Sequence, residues 1–96
     1  MTYYGLTEKG YDYVDEGMPS LDPSGSRAAI NKMDVLGALA DLEEASGGTK
    51  AFTCQDIHRE VIKDIPLLAD VETAVHKLIA LGFVEVVEPN DERYVW

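Results

Sequence analysis

Between positions 70 and 88 the spacing of apolar residues changes period. Val71, Ala74, Val75, Leu78, Ile79 and Leu81 recur at the three-and-four spacing of one helical face. From Phe83 to Val87 the residues are strand formers, and Val84 and Val86 share a face across the polar Glu85. Gly82 stands at the switch, where a helix end favours a left-handed residue. Asp70 is placed to accept hydrogen bonds from the free amides that open the helix. The pattern predicts a helix capped by Asp70 that feeds directly into a short strand.

The preceding chain gives weaker but readable signals. Tyr3-Tyr4 suits a short strand that Gly5 would break, and Thr7 is a good cap for a helix over 8–16. Gly10 inside that helix costs about 1 kcal/mol relative to alanine. Two prolines and a glycine within residues 19–25 make a linker. A long helix follows, capped by Ser24 or Ser26 and ending near Ala45. Ala29, Met33, Leu36, Leu39, Ala40 and Leu42 share its inner side, Val35 flanks them, and Ile30 falls outside as a second contact surface, a dimer seam. Ser46 to Thr49 is a stop, and Lys50 to Phe52 suits a small strand. Thr53 and Asp56 then form a capping box for a helix with Cys54, Ile57 and Val61 facing inward, closed by Pro66. After the strand at 83–87, a polar turn over 88–92 and the run Arg93 to Trp96 predict a hairpin. The fold class is mostly α with a small antiparallel β-hairpin, an α+β arrangement. Residues 1–23 form an N-terminal strand, short helix and linker, and residues 24–96 form the main domain.

Charge changes what this domain is expected to meet. The 96 residues carry 18 acidic and 8 basic side chains, a formal net charge of −10. Cut at 23, 52 and 82, the chain has no segment that is net basic, whereas a nucleic-acid-binding domain usually shows a basic face. Acid-rich, lysine-poor composition also resembles proteins of halophiles, in which salt screens such repulsion. A single cysteine makes no intramolecular disulfide, and there is neither a signal-peptide pattern nor an apolar run long enough to span a membrane. The expectation is a cytoplasmic protein without membrane attachment.

Helix, short strand, helix, turn, helix, hairpin is the order of a winged helix-turn-helix domain. Residues 71–87, V-E-T-A-V-H-K-L-I-A-L-G-F-V-E-V-V, resemble the recognition helix and first wing strand of bacterial and archaeal regulators with that fold. Residues 52–62, F-T-C-Q-D-I-H-R-E-V-I, are similar to their second helix. A further segment is similar but out of order. L-T-E-K-G-Y-D-Y-V, residues 6–14, looks like the stretch that follows the wing in such regulators. An equivalent role here would pair Tyr3-Tyr4 beside the wing and put the N-terminal helix in place of the usual C-terminal one. The motif is also a common way to cap a helix.

The resemblance implies a small transcriptional regulator, dimeric, that inserts the 70–82 helix into the major groove of double-stranded DNA. Candidate contacts are Thr73, His76 and Lys77 on that helix, Arg59 and Lys63 before it, and Arg93 in the wing, with Arg27 and Lys32 as further backbone contacts. Against it stand Asp70 and Glu72 at the helix start and Glu88, Asp91 and Glu92 at the wing tip. An acidic winged helix that docks a basic protein, with no DNA binding of its own, is the alternative. Each of these charges also reads as a solvated surface position. Cys54 and His58 lie four apart on a helix, but two ligands do not make a metal site, and Cys54 suits a small core position. No catalytic constellation or phosphate loop stands out, so neither an enzyme nor a cofactor is expected. The tyrosines near the N-terminus and Trp96 suit packing between the chain ends or a dimer contact.

Overall fold

The computed structural model describes residues 2–17, 27–47 and 51–87. The described chain is mostly helical, with a two-stranded antiparallel sheet. In order it forms β1 (Tyr3–Leu6), α1 (Glu8–Asp15), α2 (Arg27–Ala45), α3 (Cys54–Val61), α4 (Leu68–Leu81) and β2 (Val84–Val87). None of these helices is long and apolar enough to cross a membrane.

The core gathers α2, α3 and α4 under the sheet. Leu36, Leu39, Ile57, Val71, Val75 and Leu78 have no exposed surface. Burying a side chain of this size contributes about 1.5–3 kcal/mol. On α4 the inward set is Val71, Ala74, Val75 and Leu78, as the helical spacing predicts, with Ile79 half-buried at its edge. Leu81 was expected on this face and is exposed, as the last residue of the helix. On α2 the inner side is centred on Val35, Leu36, Ala38 and Leu39. Val35 is fully buried rather than flanking, and Ile30 lies outside the core as expected, 45% exposed.

Local chemistry explains most element ends. Thr53 Oγ1 accepts from Asp56 N and the Asp56 carboxylate accepts from Thr53 N, each at 3.1 Å, so the capping box of α3 is complete. Gly82 takes the left-handed conformation at φ 86°, and Phe83 N and Gly82 N donate to Leu78 O and Ile79 O. That pair of bonds is the Schellman arrangement. The start of α4 departs from expectation. Leu67 precedes the helix without any side-chain cap, and Asp70 falls inside the first turn instead of capping it. There its charge still favours the positive end of the helix dipole.

The sheet corrects the sequence reading most. Gly5 does not break the first strand: β1 continues to Leu6, pairing Tyr3 with Val87, Tyr4 with Val86, Gly5 with Glu85 and Leu6 with Val84. Tyr4 also bridges to Phe52, with Tyr4 N 2.7 Å from Phe52 O and Phe52 N 3.1 Å from Tyr4 O. The small strand expected at 50–52 is reduced to that bridge among the described residues. β1 therefore lies between Phe52 and β2, and Tyr3-Tyr4 pairs with the strand after Gly82. Val84 is buried beside Leu6, whereas Val86 at the strand's far end is half exposed. The expected hairpin partner, Arg93 to Trp96, the wing-tip acids, and Ser24 and Ser26 lie outside the described residues.

Candidate nucleic-acid interface

The α4–β2 corner is fastened from the N-terminus. Thr7 caps α1 by accepting from Gly10 N at 3.0 Å, and its hydroxyl donates to Gly82 O at 2.5 Å. Thr7 N donates to Phe83 O at 3.1 Å, and Lys9 Nζ donates to Leu81 O at 3.0 Å. Three consecutive carbonyls at the end of α4 are thus satisfied by two residues more than 70 positions away. Lys9 Nζ also sits 5.0 Å from the centre of the Phe83 ring, on which Tyr13 packs at 4.8 Å. Gly10 is required by this contact, whatever it costs the helix. A Cβ there would overlap the Phe83 carbonyl oxygen and press Leu6 Cδ2 at 3.2 Å. On the far side of α1, the Tyr11 hydroxyl donates to the buried Glu43 carboxylate of α2. Burial, and then that carboxylate, push the Tyr11 hydroxyl far above its ordinary pKa.

The opposite face of α4 is bare. Thr73, His76 and Lys77 are exposed at i, i+3 and i+4, with the small residues Ala69 and Ala80 exposed along the same side. Thr73 Oγ1 donates to Ala69 O at 3.0 Å, which orients the hydroxyl and leaves it able to accept. His76 and Lys77 have no hydrogen-bond or ion-pair partner among the described residues. Lys63 is exposed in the connection that leads from α3 into α4. That connection is held by Asp64 N and Ile65 N on Val61 O, and by His58 Nε2 at 3.0 Å from Pro66 O. Since a carbonyl only accepts, His58 donates there and serves as a brace.

The two acids at the start of α4 point different ways. Asp70 stays on the Lys77 flank, two turns away. Glu72 lies on the other flank, beside a cavity of about 190 Å³ shared with Tyr4, Cys54, Gln55 and Leu68. Burial, followed by the Glu72 charge, raises the Cys54 thiol, and burial followed by Cys54 raises the Tyr4 hydroxyl. Cys54 is therefore a protonated core thiol at neutral pH. No group of three His, Cys, Asp or Glu side chains among the described residues could hold a metal ion.

Of the sequence-predicted contacts, Thr73, His76 and Lys77 come together on one face, with Lys63 before them in the chain. Arg59 does not join them. It is ion-paired to Asp56 and lines a groove with Leu42, Ala51 and Phe52. The Thr53 amide bond, opposed in part by burial and aided by Arg59, holds the Asp56 carboxyl below the usual range. Arg93 and the Arg27 side chain lie outside the described residues, and Lys32 is half-buried on α2. Individual charges gave no sign of an acidic groove of about 230 Å³ between α2 and α3. Asp34, Asp41, Glu60 and Asp64 rim it. Asp34 and Asp41 lie seven positions apart on one side of α2, a signal present in the spacing, whereas Asp64 joins Glu60 from the turn that follows α3. Comparison with protein families, curated proteins and solved structures finds no match for this chain.

Proposed function

We propose that this chain is a winged helix-turn-helix module that binds double-stranded DNA with the outward face of α4 in the major groove. The carrying observation is that Thr73, His76 and Lys77 share one exposed face of that helix; the exposed acids Asp70 and Glu72 flank it, Glu72 also lining the cavity beside Tyr4 and Cys54. An α-helix fits the major groove, and the small Ala69 and Ala80 allow close approach. Lys77 and Lys63 neutralise phosphates, and Thr73 and His76 bond phosphate or base edges. The order α2, Phe52 bridge, α3, α4, β2 supports the winged-helix reading, with β1 set between Phe52 and β2. A dimer would place two such helices on two half-sites. Net charge −10 repels phosphate and keeps binding weak away from a specific site, while the lysine contacts to phosphate give the affinity its salt dependence.

The groove between α2 and α3 favours a second reading, an acidic module for a basic protein. Titrating labelled duplex at several salt concentrations separates the two. The DNA reading expects binding at low salt that weakens as salt rises, and roughly tenfold weaker binding for Lys77→Glu. No binding at low salt, or no response to Lys77→Glu, leaves the protein-docking reading. If the acidic surface is an adaptation to a saline cytoplasm, the melting temperature rises in molar potassium chloride; full stability in dilute buffer with no such gain removes that explanation.

A further inference from the structure

The N-terminal arm, β1 with α1, does more than fasten the end of α4. Its first residues also close the cavity of about 190 Å³ against the opening turns of α3 and α4. Tyr4 and Cys54 form the floor, 7% and 9% exposed. The Tyr4 hydroxyl donates to the Cys54 sulfur and accepts from the Thr2 side chain. Gln55 and Glu72 stand exposed at the rim, and Leu68, half-buried, supplies an apolar side. Three segments far apart in sequence thus turn polar groups towards one enclosed space, which is how small-molecule sites are commonly built.

The lining is matched to a cation. Glu72 is its one formal charge and has no ion-pair partner among the described residues. After burial, which is the largest cause, the Glu72 charge helps to raise both the Cys54 thiol and the Tyr4 hydroxyl, so it is felt at the floor. The thiol stays protonated and adds no second charge. The Tyr4 oxygen, which gives its proton to sulfur and receives one from Thr2, keeps a lone pair, and the Gln55 amide oxygen is a further acceptor. A carboxylate with neutral oxygen acceptors beside it complements an ammonium group, which carries three donors and no acceptor. The volume lies below the roughly 300–1,000 Å³ of sites for drug-sized molecules, so the ligand is short. We propose that this cavity binds a small primary-ammonium compound, its nitrogen between the Glu72 carboxylate and the Tyr4 hydroxyl and its short chain against Leu68. The proposal does not rest on DNA binding.

Ethanolamine and its neutral counterpart ethylene glycol supply the test. Each is added to the full chain at neutral pH and fixed ionic strength while amide chemical shifts are recorded. Ethanolamine should give saturable shifts at Tyr4, Gln55, Leu68 and Glu72, and ethylene glycol none. Glu72→Gln should weaken ethanolamine binding roughly tenfold or more. Its urea midpoint should stay where it is, because the side chain is exposed. Asp70→Asn, at an acid of the same helix turn that does not line the cavity, should bind as the unaltered protein does. Shifts that never saturate, equal binding of ethylene glycol, or undiminished binding by Glu72→Gln would overturn the proposal. An equal loss in Asp70→Asn would overturn it too, since the attraction would then belong to the acidic surface as a whole.

Discussion

The two sides of α4 are built by opposite means. Its inner side is sealed by Val71, Ala74, Val75 and Leu78, and its end is fastened by Thr7, Lys9 and Gly10 from the far end of the chain. Its outer side carries Thr73, His76 and Lys77, which give the fold almost nothing: among the described residues, one local hydroxyl bond is all that the three contribute. The contrast separates stability from use. A helix whose position is fixed elsewhere is free to spend its outer residues on a partner, and changes to the two sides should therefore have distinct signatures.

The largest effect is expected on the inner side, at Gly10. Gly10→Ala normally favours a helix, but here the added methyl meets the Phe83 carbonyl, a backbone atom that cannot swing away. Overpacking of this kind costs about 1–3 kcal/mol, a large share of the stability of so small a domain. Urea denaturation should show the loss, and a stabilised Gly10→Ala would contradict the described arm contact.

On the outer side the expected sign pattern reverses. Lys77→Glu should leave the urea midpoint almost unchanged, within about 0.5 kcal/mol, because the residue is exposed and unpaired among the described residues. Its cost should fall on DNA binding, roughly tenfold at low salt and with a salt dependence shallower by about one ion. An equal loss of stability would mean that the two sides are not independent.

Alkaline pH should loosen the inner side alone. Burial raises the hydroxyls of Tyr4, Tyr11 and Tyr13, all on the arm, with Cys54 adding at Tyr4 and Glu43 adding at Tyr11. Folded values above the unfolded value of about 10 contribute stability that is complete below pH 10 and lost as pH climbs through the folded values. Melting temperature should accordingly fall above pH 10. Asp56 works in the other direction: its depressed pKa contributes stability above about pH 4 that is lost as pH drops through the folded value.

Lys9→Met gives the smallest effect. It removes one exposed hydrogen bond and the contact with the Phe83 ring while keeping an apolar stem, for a loss below about 1 kcal/mol. A loss as large as that of Gly10→Ala would shift the weight of the arm contact from shape to charge.

What the sequence made legible follows the range of each interaction. The capping box at Thr53 and Asp56, the left-handed Gly82 and the inward set of α4 rest on neighbours within a few residues, and spacing alone predicts them. The strand order rests on segments some 80 residues apart. There the similarity of L-T-E-K-G to a post-wing segment was the available clue, and it anticipated that Tyr3-Tyr4 pairs with the strand after Gly82. Gly5 misled because an intrinsic dislike of strands yields to pairing opposite Glu85 between two paired neighbours, and Gly10 misled because a propensity cost says nothing about a carbonyl packed on the Cα. Asp70 misled because Pro66 and Leu67 let the helix begin one turn earlier, leaving the carboxylate inside it. For the site, exposure of Thr73, His76 and Lys77 was readable from the helical period. The diversion of Arg59 to Asp56 and of Glu72 to the Tyr4–Cys54 side was not, since both depend on what lies opposite.

The most direct test of the division between the two sides is an amide chemical-shift map recorded as a short duplex is added at low salt. The account predicts that Thr73, His76, Lys77 and Lys63 move while Thr7, Gly10 and Phe83 stay in place. No perturbation along α4, or shifts confined to the Asp34, Asp41, Glu60 and Asp64 groove, would contradict it.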